Sequence, residues 1–171
     1  AMGAKVIAAA STEEKVNLCK QHGADEGFVY PTGKLDRDQQ KELSAKIKEL
    51  TGGMGANVVY DPVGDSYSEP CIRATAWDGR YLVIGFAAGE IPKIPINLAL
   101  LKGMKIVGVF WGAWVGMNPA ENKKNFEELF KLHSEGKINP EVSDSFSLDD
   151  GAKAIAHLKD RKAKGKVIIT M

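Results

Sequence analysis

The sequence predicts an α/β fold built on a doubly wound parallel sheet. Two observations favour it. Short apolar runs recur along the chain and end in glycine, proline or polar residues, as expected for strands that are covered on both faces. Longer stretches with apolar residues at helical spacing lie between them, and this alternation predicts parallel strands joined by crossover helices.

The first predicted strand runs from Lys5 to Ala9 and leads into a helix. Ser11 is the expected N-cap of that helix, Glu14 would complete a capping box, and Gly23 is suited to the position after its last turn. The next predicted elements are a strand at 27–30, a loop at 31–38, a helix at 39–50, a strand at 57–60, a helix at 69–77 and a strand at 80–84.

The second half of the chain continues the alternation. A loop is predicted at 86–98, because glycines and prolines interrupt it, and a strand follows at 105–109. Pro119 is placed to begin a long helix that reaches His133. The remaining predicted elements are an extended segment at 139–147, a helix at 148–159 and a strand at 166–170.

Composition gives no reason to expect a nucleic-acid or membrane partner rather than a small molecule. Lys and Arg total 23 against 22 for Asp and Glu, and the charges are interspersed. The apolar runs are far shorter than the roughly 20 residues that a membrane span needs. No secretory leader begins the sequence, so we expect a cytoplasmic protein. Cys19 and Cys71 predict neither a disulfide framework nor a metal site, and both suit helices as small apolar residues.

The carboxyl ends of the strands carry the residues best suited to a ligand. Ser11 and Lys15 are spaced i, i+4, so a phosphate at this helix start would meet a hydroxyl, backbone N–H groups and an ammonium. A capping box with a solvated lysine explains the same two residues equally well. Gly64 and Gly85 directly follow strands, where a side chain would crowd a ligand, although both also suit ordinary turns.

Two further strand-end features have more than one interpretation. Asp61 would either accept from a ribose hydroxyl or cap the segment that follows it, and capping is favoured. Trp111 and Trp114 would either form the wall of a flat-ring pocket or pack at an interface.

Together these residues resemble the medium-chain dehydrogenase/reductase superfamily, and within it the zinc-independent quinone oxidoreductase branch. The similarity covers nearly the whole chain, through MGAKVIAAASTEEK, TGGMGANVVYDPVGD, DGRYLVIGFAAGEIPKIPINLALLKGMKIVG and KAIAHLKDRKAKGKVIIT. It implies a Rossmann-like cofactor-binding domain over 1–135 that lacks its first strand and glycine-rich turn. Residues 136–171 would then be the segment that returns to an absent GroES-like catalytic domain.

The resemblance implies NADPH as the cofactor and hydride transfer to a quinone or an α,β-unsaturated carbonyl. Ser11 and Lys15 would bind its 2′-phosphate, and Tyr30 and Arg161 would reach the same region. The implied contacts with the adenine, the ribose and the nicotinamide come from Val63, Gly64, Ile84, Gly85, Phe86, Ala87, Phe110 and Trp111. Neither a catalytic residue nor a metal ligand is assigned to this chain.

A missing first strand has a structural consequence. In the strand order 3-2-1-4-5-6 its absence splits the sheet and exposes two edges, so we expect a complementing fragment, a second copy or a rearranged sheet to fill the gap. Strand 105–109 would be the outer edge and would pair across a twofold axis in a homodimer, which a proline at Val107 should weaken. The isolated chain would be inactive.

Two other classes compete with this interpretation. One is a stand-alone nucleotide-binding or protein-interaction module derived from such an enzyme. The other is an unrelated α/β enzyme such as a methyltransferase, which is disfavoured because no acidic residue follows the strand that ends near Ala10.

Overall fold

A computed structural model describes all residues from Ala1 to Met171. Strands and helices alternate along the chain, as predicted. They are β1 (Ile7–Ala10), α1 (Glu13–Gln21), β2 (Glu26–Val29), α2 (Arg37–Leu50), β3 (Ala56–Asp61), α3 (Ser68–Ala74), β4 (Thr75–Val83), α4 (Asn97–Lys102), β5 (Lys105–Gly108), α5 (Trp111–Met117), α6 (Pro119–Ser134), β6 (Val142–Ser147), α7 (Gly151–Lys159) and β7 (Lys166–Thr170).

The strands form three separate parallel sheets. β1 pairs with β2, β4 lies between β3 and β5, and β6 pairs with β7. The predicted α/β class with parallel strands is therefore confirmed. β1 and β3 share no hydrogen-bond ladder, so β1–β5 fall into two sheets at the point where the sequence predicted a split.

Residues 6–117 form one compact unit. Its core has two clusters of buried side chains, one of Ile72, Tyr81, Leu98 and Met104 and one of Leu35, Leu43 and Tyr67. Cys71 packs against both clusters. Because its two sheets do not pair with each other, this unit is held together by the contact between α2 and α3 and by shared side-chain packing.

Residues 1–5 and 118–171 form a second compact unit. Its strands β6 and β7 are joined by α7, which buries Ala154. α6 belongs to this unit, and the rings of Phe126 and Phe130 lie 6.2 Å apart on it. The domain division predicted after residue 135 concerns a longer enzyme and stays a prediction.

Several predicted boundaries are wrong, and the largest differences lie around β4 and α4. The helix expected at 69–77 ends at Ala74, and β4 begins at Thr75. The cause is that Thr75, a buried β-branched residue, pairs with Ala56 of β3. The loop expected at 86–98 gives way to α4, since its prolines all precede Asn97 and Gly103 ends the helix in the left-handed conformation.

The sequence analysis did not predict α5, because Gly112 and Gly116 disfavour a helix by intrinsic propensity.

None of the helices in the chain is long and apolar enough to cross a membrane.

Candidate functional site

The end of β1 leads into α1 one residue later than the sequence predicted. Thr12 is the N-cap, and its side chain accepts from the Lys15 N–H at 3.3 Å, so the predicted capping box of Ser11 and Glu14 is wrong. β1 ends at Ala10 and the helix starts at Glu13, so Ser11 and Thr12 form the connection between them. Ser11 therefore lies before the cap, half-buried, and its hydroxyl is not used to cap α1.

Tyr30 follows β2 and lies beside the end of β1. Its N–H donates to the Ala10 carbonyl at 3.0 Å. Its ring packs edge-to-face on Tyr67, with the centroids 5.3 Å apart. The Tyr67 hydroxyl lies 2.7 Å from the carbonyls of both Pro31 and Gly33, so it holds the segment after β2 against the turn after β3.

The backbone conformation and the local packing both require glycine at position 64, independently of any ligand. Its φ of 74° and ψ of −149° belong to a region that is essentially restricted to glycine. A Cβ at this position would also lie 2.8 Å from the Phe86 Cδ1 atom. The turn after β3 thus approaches the segment after β4 more closely than a side chain at 64 permits.

Hydrogen bonds join the segments that follow β3 and β4. The N–H groups of Ile84 and Gly85 donate to the Asp61 carbonyl at 3.0 and 3.4 Å. Further along, Ala87 donates to the Pro62 carbonyl at 3.0 Å and Ala88 to the Val63 carbonyl at 2.9 Å. Six of the predicted binding residues, Val63, Gly64, Ile84, Gly85, Phe86 and Ala87, are brought together in this way.

The Asp61 side chain is buried beneath the joined segments, with 5% of the residue exposed. Oδ1 accepts from the N–H groups of Val63 at 2.8 Å and Gly64 at 3.0 Å. Oδ2 accepts from the Ser68 hydroxyl at 3.1 Å and from the Tyr81 hydroxyl. These bonds agree with the capping interpretation of Asp61 and leave no open acceptor position for a ribose.

The aromatic residues after β5 are open to solvent. Phe110 is 81% exposed, and Trp111, the first residue of α5, is 58% exposed. The Trp114 N–H donates to the Phe110 carbonyl at 3.0 Å, so Phe110 forms the N-terminal end of this helix. Both interpretations of Trp111 stay open.

Arg161 lies in the other compact unit, after α7, and is exposed with a φ of 58°. Its predicted contact with a phosphate stays a prediction. The chain contains no group of three or more His, Cys, Asp or Glu side chains placed to hold a metal ion. Its own residues therefore do not fit a zinc site.

Comparison with known proteins identifies the class. The family model described as "Zinc-binding dehydrogenase" matches residues 1–134, and the chain belongs to that family. The predicted membership of the medium-chain dehydrogenase/reductase superfamily is confirmed.

Individual relatives lie in the quinone oxidoreductase branch. The chain is 36% identical over 168 residues to "Quinone oxidoreductase-like protein 2" of Rattus norvegicus, covering 98% of this chain and 46% of the relative. It is 28% identical over 170 residues to the quinone oxidoreductase of Pseudomonas aeruginosa, covering 99% of this chain and 50% of that protein. The chain spans about half the length of the curated relatives it matches.

Solved structures of oxidoreductases match the fold of this chain. The mycobacterial protein Rv1454c, solved in complex with NADPH, matches with a TM-score of 0.83 and 25% sequence identity. The match covers 99% of this chain and 51% of that one. The fold of this chain is thus that of half of a medium-chain dehydrogenase/reductase.

Proposed function

We propose that this chain is the cofactor-binding portion of an NADPH-dependent oxidoreductase that transfers hydride to a quinone or an α,β-unsaturated carbonyl. The observation that carries the proposal is the joining of the segments after β3 and β4 at the carboxyl ends of parallel strands, where such sheets bind ligands. Similarity to a protein solved with NADPH supports the choice of cofactor.

The residues suit the parts of a dinucleotide. Bound NADPH would supply the hydride, while the protein binds and orients the cofactor and excludes water. Ser11 and Lys15 offer a hydroxyl and an ammonium to the 2′-phosphate, near the N-terminus of α1. The remaining contacts are proposed for Tyr30 at the phosphate, Val63 and Gly64 at the adenine and ribose, and Ile84, Gly85, Phe86, Ala87, Phe110 and Trp111 on the nicotinamide side.

No acid, base or nucleophile for the reaction is assigned to these 171 residues. Since relatives are about twice as long, the acceptor pocket is proposed to require the part of such a protein that this chain does not contain. The first strand of a Rossmann-like sheet, proposed to lie between β1 and β3, would come from that part too. We therefore expect the isolated chain to bind cofactor without turning it over.

A homodimer through β5 is also proposed. β5 pairs with β4 on one side only, and all four of its residues are exposed. Such an edge can pair with its own copy across a twofold axis to give one continuous sheet.

Lys15→Ala tests the cofactor assignment. We expect the dissociation constant for NADPH to rise about tenfold, as for the loss of one charge-assisted hydrogen bond, and that for NADH to change little. Nicotinamide fluorescence during titration measures both constants.

Lys20→Ala is the matched control, because Lys20 lies in the last turn of the same helix. If Lys15→Ala lost affinity equally for NADPH and NADH, the proposed role of Lys15 at the 2′-phosphate would be contradicted. If the unmodified chain binds neither nucleotide, the competing interpretation as a protein-interaction module gains support.

A further inference from the structure

The buried carboxylate of Asp61 lies in the candidate site, and both of its oxygens accept hydrogen bonds from the protein itself. Its side chain holds the N–H groups of Val63 and Gly64, and its backbone carbonyl holds those of Ile84 and Gly85. One residue therefore bonds to both segments that the proposed function places against the cofactor.

Two side chains anchor this carboxylate from below. The hydroxyls of Ser68, at the start of α3, and Tyr81, near the end of β4, both donate to Oδ2. Tyr81 is 4% exposed and belongs to the core, so its hydroxyl has little freedom to move away. Burial, and then the bond to Asp61, raises the pKa of the Tyr81 phenol, which therefore stays protonated and continues to donate.

We propose that Asp61 is a positioning residue: held by Ser68 and Tyr81, it keeps the turn 62–64 and the segment 84–88 in one rigid conformation suited to a dinucleotide. The cofactor part of this inference rests on the proposed function. Such preorganisation raises affinity because the loops lose little freedom when the ligand binds.

The close approach at Gly64 supports the proposal. A Cβ at Gly64 would lie 2.8 Å from the Phe86 Cδ1 atom and 3.2 Å from the Phe86 Cα atom, so the two segments approach each other closely at this point. Because the two bonds from Asp61 Oδ1 fix the direction of this turn, they set the separation of the segments.

Asp61→Asn and Tyr81→Phe test the inference. The first keeps the shape of the side chain but removes its charge, and the second removes one anchoring hydroxyl while keeping the ring in the core. In nitrogen-15-labelled protein we expect amide hydrogen exchange at Val63 and Gly64 to accelerate about tenfold in Asp61→Asn and less in Tyr81→Phe. The dissociation constant for NADPH should rise about tenfold in Asp61→Asn.

Amides in the middle of β4 distinguish a positioning role from a general loss of stability. If the variants only lowered the stability of the whole fold, exchange in β4 would accelerate by the same factor as exchange at Val63 and Gly64. Tyr60→Phe is the matched control, because Tyr60 precedes Asp61 on β3 but is 67% exposed. If Asp61→Asn does not fold, Tyr81→Phe and Ser68→Ala retain the carboxylate and give the same test.

The outcomes separate the two proposals. Unchanged exchange at Val63 and Gly64 would overturn the role of Asp61. Faster exchange with unchanged NADPH affinity would overturn its connection with the cofactor. If the unmodified chain binds no NADPH but exchange responds as expected, the proposed function fails while Asp61 still positions the two segments.

Discussion

The two cysteines illustrate how neighbouring atoms change the chemistry of a residue. Cys19 is exposed on α1, whereas Cys71 on α3 packs against both core clusters. Burial, and then the negative charge of Asp61, raises the pKa of the Cys71 thiol from 9.0 to about 12. The sequence placed both residues on helices, but only the tertiary structure distinguishes them.

We expect a thiol reagent to label Cys19 quickly and Cys71 only after unfolding. The thiolate is the reacting form, and in the folded protein Cys71 stays protonated below its raised pKa. The stability that comes from this raised pKa is complete below about pH 9 and is lost as the pH rises toward 12. A Cys19→Ser variant, titrated at pH 8 with and without denaturant, measures Cys71 alone; fast labelling without denaturant would contradict the expectation.

At the scale of elements, β5 decides how two copies could pair. The Val109 N–H donates to the Val83 carbonyl at 3.0 Å, and alternate residues of a parallel strand face the same neighbour. The N–H of Val107 therefore points toward β4, and that of Gly108 toward the open edge. A proline at Val107 would therefore break the β4–β5 ladder, so its predicted effect on the dimer stays a prediction and does not test the open edge by itself.

Gly108→Pro is the appropriate variant for the proposed dimer. It removes an N–H that faces the open edge, so we expect the mass in solution to fall from dimer to monomer while the fold persists. Gly108→Ala is the control, because it keeps the N–H and its added Cβ would meet no atom within 4 Å. Light scattering measures both masses, and a dimer that survives the proline would rule out pairing through this edge.

For the molecule as a whole, the important feature is the separation of its sheets. β4 has a partner strand on each side, whereas β1 and β3 each have a strand on only one. In a strand with fewer partner strands, less structure must open before a backbone amide can exchange its hydrogen. The stability of this chain should therefore be uneven, and the edges on either side of the split should be its weaker parts.

We expect hydrogen exchange to be slowest in β4 and faster in β1. Mass spectrometry of exchanged peptides from 6–10 and 75–83 measures the difference. A polypeptide that supplied the proposed strand between β1 and β3 should slow exchange in β1 and leave β4 nearly unchanged. Equal protection of the two strands in the isolated chain would show that the split does not limit its stability.

Much of the site could be predicted because it depends on local patterns. Apolar runs bounded by glycine and proline located the strands, and parallel strands place their carboxyl ends on one edge, so Ser11, Gly64 and Gly85 were found as strand-end residues. The anchors of Asp61 could not be predicted in this way. Tyr81 lies 20 residues away along the chain and reads in sequence only as part of an apolar strand.

The sequence by itself determined the class of fold, because apolar periodicity is a property of the chain alone. Its motifs also indicated the family, through their resemblance to known members. Only the tertiary structure decided that Thr12 and not Ser11 caps α1, that Gly64 must lie against Phe86, and that Asp61 joins two loops rather than facing a ribose. The physical reason is that hydrogen bonding and steric contact depend on which distant segments meet, and folding alone brings those segments together.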